Sequence, residues 1–153
     1  MKLALLICVL ISSCLAGKSK SLFGATYDVK VKGTLTCSAP FKYAVLFEEL
    51  DREWSNDRID AINTTFSEQP SVYYEVKGEA ADPEPLQDEV ELRVVFYHNC
   101  EGEDSCVCAQ WDFVSHNKDE TLNVNLANPD PSSVRRCVAC NRFYNMDEVN
   151  LTE

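Results

Sequence analysis

The chain is poor in the side chains that usually carry chemistry. It holds two histidines in 153 residues, His98 and His116, and neither sits in a G-x-S-x-G, an H-E-x-x-H or a comparable arrangement. His98 follows an apolar alternation and lies two residues before Cys100, which reads as a buried structural histidine. His116 falls in a polar turn. No catalytic residue is therefore expected, and the chain is not read as an enzyme. Lys/Arg clusters are also missing beyond the pair Arg135-Arg136, while the formal net charge is −11. Such a chain repels phosphate backbones and anionic lipid surfaces, so nucleic acid is excluded as an expected partner. The acidic stretches at 82–91 and 101–104 lack the spaced ligands of an EF-hand loop and read as solvated faces. No metal and no cofactor are expected.

Long apolar runs are absent after the first residues. Lys2 precedes the run Leu3 to Ile11, which is well short of the roughly 20 residues that span a bilayer. Ser12, Ser13, Cys14, Leu15 and Ala16 then supply the small residues that a signal peptidase reads. Residues 1–16 are expected to be a signal peptide, and no transmembrane segment is expected. The rest of the chain is the size of one domain.

Cysteine is present in a pattern that fits export. Cys8 and Cys14 fall in the leader, and six remain: Cys37, Cys100, Cys106, Cys108, Cys137 and Cys140. An even number in an oxidising compartment predicts three disulfides, in any of 15 pairings that the sequence does not choose among. Four thiolates of a zinc site, at Cys106, Cys108, Cys137 and Cys140, are the competing reading. One-residue spacing in the first pair fits zinc poorly, and structural bridges are preferred. Cys137 to Cys140 also has the spacing of a redox motif, without the βαβ pattern that accompanies one. Two sequons, Asn63-Thr64-Thr65 and Asn150-Leu151-Thr152, mark Asn63 and Asn150 as acceptors for N-linked glycan.

Alternation of period two dominates the remainder. Tyr27, Val29, Val31, Leu35 and Cys37 share one face, interrupted by Gly33, which signals a bulge or a close backbone approach. Phe41 to Leu50 is apolar on both faces, as in a central strand. Further strands are expected at Arg58 to Phe66, at Val72 to Val76 ending at Gly78, at Val90 to Cys100, and at Cys106 to Val114. The last is expected to form a hairpin with Thr121 to Ala127. Residues 79–88 read as a loop. Six or seven short strands with polar punctuation predict an all-β sandwich of two antiparallel sheets, stapled by disulfides. Its span is 17–127, and residues 128–153 form a cysteine-containing C-terminal extension pinned by disulfide.

The segments Val29-Lys30-Val31-Lys32-Gly33-Thr34-Leu35-Thr36-Cys37, Val45-Leu46-Phe47-Glu48 and Leu92-Arg93-Val94-Val95-Phe96-Tyr97-His98-Asn99-Cys100 together resemble the secreted transthyretin-like proteins of nematodes. Members of that family open with a strand ending in glycine, leucine and cysteine, and carry a later strand ending in histidine, one residue, then cysteine. The resemblance spans roughly residues 27–127 and implies a transthyretin-type β-sandwich of two four-stranded sheets. The chain departs from the pattern after Cys37, at 60–71, and in the tail bearing Cys137 and Cys140. Hydroxyisourate hydrolases, similar in fold to transthyretin, end in a Tyr-Arg-Gly-Ser motif that this chain lacks. The expected function is that of a secreted, extracellular protein, monomer or dimer, that binds or bridges a protein or cell-surface partner. A carrier of a small apolar ligand or lipid is the alternative, and a hydrolase stands behind both.

Overall fold

A computed structural model describes residues 26–50, 56–81, 89–137 and Cys140. The expected signal peptide and Asn150 lie outside the described residues. Within them the chain is all β, with strands β1 (Thr26–Thr36), β2 (Phe41–Glu49), β3 (Asp57–Ser67), β4 (Ser71–Ala81), β5 (Val90–His98), β6 (Ser105–Val114), β7 (Lys118–Thr121), β8 (Val124–Asn125) and β9 (Arg135–Arg136). They build a four-stranded sheet in the order β4-β1-β7, with β8 also on β1, and a five-stranded sheet in the order β3-β2-β5-β6-β9. The two sheets pack as a disulfide-stapled sandwich.

The inner faces follow from the alternation in sequence. Val29, Val31 and Leu35 of β1, Tyr74 and Val76 of β4, Phe41, Val45 and Phe47 of β2, and Val94 and Phe96 of β5 all meet in one core. Burying each such side chain stabilises the fold by about 1.5–3 kcal/mol before the entropy of ordering is subtracted. The Tyr74 and Phe96 rings meet edge to face with centroids 5.0 Å apart, the arrangement their quadrupoles favour. β2, flanked by β3 and β5, is buried on both faces apart from Lys42. Ala44 and Leu46 on its other face join Val95, Tyr97, Cys106 and Cys108 in a second cluster on the outside of the five-stranded sheet.

Two expectations are corrected. β4 runs through Gly78 to Ala81, because β1 offers an unbroken antiparallel partner from Thr36 back to Thr26. The expected hairpin between Cys106–Val114 and Thr121–Ala127 is not formed. After β6 the chain crosses to the other sheet, where β7 and β8 lie one after the other along β1, both parallel to it. The first sheet is thus mixed rather than antiparallel. The break between β7 and β8 has a local cause. Leu122 donates its N–H to the Lys32 carbonyl at 2.8 Å, and Asn123 Oδ1 accepts from both the N–H and the hydroxyl of Thr34 at 3.0 Å. The side chain of Asn123 replaces a strand residue there. This crossing passes over Gly33, where a Cβ would lie 2.0 Å from the Leu122 carbonyl oxygen, which is the close approach that the glycine signalled. The extension adds a short strand: Arg135 and Arg136 pair with Cys108 and Val107 of β6.

A candidate binding site at the cysteine-rich end

β1 and β5 belong to different sheets, and Cys37–Cys100 ties their ends together with a Cα–Cα separation of 5.7 Å. Cys37 also donates its N–H to the Pro70 carbonyl at 2.9 Å. Just beyond β5, Asn99 exchanges bonds with Lys42: its side-chain oxygen accepts the Lys42 N–H at 2.7 Å, and its own N–H donates to the Lys42 carbonyl at 3.2 Å. Gly102 N–H then closes a turn on the Asn99 carbonyl at 2.8 Å, with Gly102 at φ 90°, a conformation that suits glycine. This turn projects Glu101, Glu103 and Asp104 into solvent.

Behind that acidic rim lies a cavity of about 490 Å³ lined by His98, the acidic turn, Leu126, Pro129, Arg136 and the cysteines of the extension. His98 is 4% exposed. Its Nδ1 accepts the Cys100 N–H at 3.3 Å, which places the imidazole proton on Nε2. That Nε2 is buried and has no hydrogen-bond partner. Burial pushes the His98 pKa down from its ordinary value, opposed by the charge of Glu101 and aided by that of Arg136, so the ring is neutral at pH 7. The cavity therefore sets a buried, neutral imidazole beside the exposed carboxylates of the turn.

The extension closes one side. Cys106–Cys140 is a disulfide with a Cα–Cα separation of 5.5 Å, which ties Cys140 to β6. Cys108 and Cys137 carry free thiols. The four cysteines weighed as zinc ligands are brought to one place, with two of them already bonded to each other. Among the described residues no group of three or more His, Cys, Asp or Glu is placed to hold a metal ion. His116 is exposed in the crossover to β7, remote from His98 in the fold.

A second groove, about 420 Å³, runs over β1, β4 and β7. Among its lining residues Lys30 pairs with Asp119 at 2.6 Å, and the neighbouring Lys32 reaches the same carboxylate at 3.0 Å. It contains no buried polar group in want of a partner, and it reads as a solvated face.

Asn63 is exposed on β3, at a break in register between Tyr43/Thr65 and Val45/Ile62, so the sequon is open to solvent. Sequence reasoning missed Phe113. It is 63% exposed and has φ 59°, where a bulge in β6 sets the ladder out of step with β5 between Val90 and Leu92. Nothing in the local composition marks it, since an aromatic residue in a strand ordinarily signals core. No family model, curated protein or solved structure matches this chain.

Proposed function

We propose that this chain is an exported extracellular binding or bridging protein that engages a protein or cell-surface partner through the cysteine-rich end of its sandwich. The observation that carries the reading is the cavity in which His98 and three exposed acidic residues of one turn line a single space. The acidic rim takes a positive charge, so the complementary ligand is a peptide segment bearing Lys or Arg. Export is supported by the composition of residues 1–16 and by two disulfides. No helix among the described residues is long and apolar enough to cross a membrane. The two motifs of the transthyretin-like resemblance end at Cys37 and Cys100, which form one disulfide. Space between the sheets is filled by Phe41, Phe47, Tyr74 and Phe96, each at most 1% exposed, which favours a surface binder over a carrier of an apolar ligand.

The test is capture from extracellular extract by the disulfide-bonded protein, alongside a variant carrying Glu101→Lys and Glu103→Lys. Both changes lie at exposed positions of the turn and leave the core intact. The reading predicts one or more partners retained by the native protein and lost by the variant; equal capture by both would count against this end as the binding site.

A further inference from the structure

The outer face of the five-stranded sheet carries two rows of opposed residues. Ala44 faces Tyr97, which faces Cys106, and Leu46 faces Val95, which faces Cys108, which faces Arg135 of β9. Beyond Arg136 the chain stays in register: Cys137 donates its N–H to the Cys106 carbonyl at 3.4 Å. Cys108 and Cys137 thereby join the same apolar cluster, Cys108 buried and Cys137 half-buried. They lie on neighbouring strands of that face, Cys108 opposite Arg135 and Cys137 bonded through its N–H to Cys106. Next to them, Cys106–Cys140 already fixes the extension to β6.

We propose that Cys108 and Cys137 are a site of oxidative coupling, at which a disulfide donor closes a third bridge and clamps β9 to β6 beside Cys106–Cys140. The donor is a low-molecular-weight disulfide of the glutathione type or a dithiol oxidoreductase in its oxidised form. Cys137, the half-buried residue of the two, is the attacking one and Cys108, buried, the resolving one. Hydrogen bonding from Cys137, with the Arg135 and Arg93 guanidiniums nearby, holds the Cys108 thiol down to about 6 despite its burial. The same hydrogen bond, reinforced by burial, pushes Cys137 up. At neutral pH Cys108 is therefore the thiolate, and it accepts the proton of Cys137 as the Cys137 sulfur attacks the donor disulfide. One donor thiolate leaves and a mixed disulfide forms at Cys137. Cys108 then loses its proton to solvent and its thiolate attacks the Cys137 sulfur, expelling the second donor thiolate. Starting from the Cys108 thiolate, the cysteine pair gives up two electrons and the one proton of Cys137, and the donor disulfide, reduced by the same two electrons, leaves as two thiolates. This chemistry is independent of the binding reading and stands or falls apart from it.

The experiment treats the full-length folded protein with oxidised glutathione, blocks remaining thiols with one alkylating reagent, reduces, and labels with a second. Fragment mass spectra then assign each label to a residue. Both Cys108 and Cys137 are expected to change from the first label to the second after treatment. The Cys108→Ser variant is expected to stall with one glutathione bound at Cys137, because nothing resolves the mixed disulfide. The Cys137→Ser variant is expected to leave Cys108 as a thiol without glutathione. Native-protein labels that stay unchanged after treatment overturn the proposal without reliance on either variant. So does fragment evidence of a Cys106–Cys137 bridge, or native mass spectra showing a metal held by these sulfurs.

Discussion

Gly33 and His98 show how much a single residue is asked to do in this fold. A Cβ at Gly33 would lie 2.0 Å from the Leu122 oxygen and 2.6 Å from the Leu122 carbon, both backbone atoms that cannot swing aside. Gly33→Ala is expected to destabilise the protein by about 2–3 kcal/mol, the upper part of the range for overpacking, read as a lower urea midpoint at unchanged slope. An unchanged midpoint would mean that the β7 to β8 crossing is not held over β1 as described. His98 makes stability depend on pH. Its pKa is lowered in the folded state, from an ordinary 6.5, so above pH 6.5 both states are neutral and this residue contributes no slope. As pH falls below 6.5 the unfolded state binds the proton first, and stability is lost until the folded pKa is passed, where the slope vanishes again. His98→Gln, which keeps an acceptor for the Cys100 N–H, is expected to remove that loss between pH 7 and 5. Parallel pH profiles for the two proteins would contradict the assignment.

Among the strands, legibility tracked the length of the alternating pattern. β1, β2 and β5 were readable within a residue or two, because nine or more β-forming positions, alternating in β1 and apolar on both faces in β2, leave little choice of element. β7 and β8 were not, since four and two residues carry too little pattern to show which strand they pair with or in which direction. Their placement comes from side-chain bonds of Asn123 and from the gap at Gly33, neither of which has a period. The pairing of cysteines was open in the sequence, and strand geometry settles Cys37–Cys100 and Cys106–Cys140. The acidic turn was legible as polar punctuation; that it forms the rim of a cavity shared with His98 depends on the turn geometry of Asn99 and Gly102. The β6 bulge offers a test at this scale. Phe113 holds a left-handed conformation that costs a side chain with a Cβ about 1–2 kcal/mol. Phe113→Gly is expected to be more stable than Phe113→Ala by about 1 kcal/mol in thermal or urea unfolding, reversing the usual order of the two residues in strands. If alanine were the more stable, the left-handed bulge would be wrong.

At the scale of the molecule, two sheets are joined by one inner core and by few covalent ties. Cys37–Cys100 closes a sequence separation of 63 residues, and removing it with paired alanine substitutions is expected to lower stability by up to about 4 kcal/mol, mainly through the freed unfolded chain. Cys106–Cys140 spans 34 residues and holds the extension against the outer face of one sheet. Loss of the first bridge is expected to shift global unfolding. Loss of the second is expected to show first as faster hydrogen exchange at β9. The whole chain is acidic, with a net charge of −11, and its binding is accordingly expected to weaken with added salt. The central claim is that recognition occurs where His98 and the acidic turn form one cavity. Backbone amide NMR shifts of the isotope-labelled, disulfide-bonded protein, followed as an arginine-rich peptide is added at low salt, test this most directly. The account predicts perturbations centred on His98, residues 101–104 and residues 126–129, abolished in the protein carrying Glu101→Lys and Glu103→Lys; shifts scattered over the acidic surface, or centred on the groove of β1, β4 and β7, would contradict it.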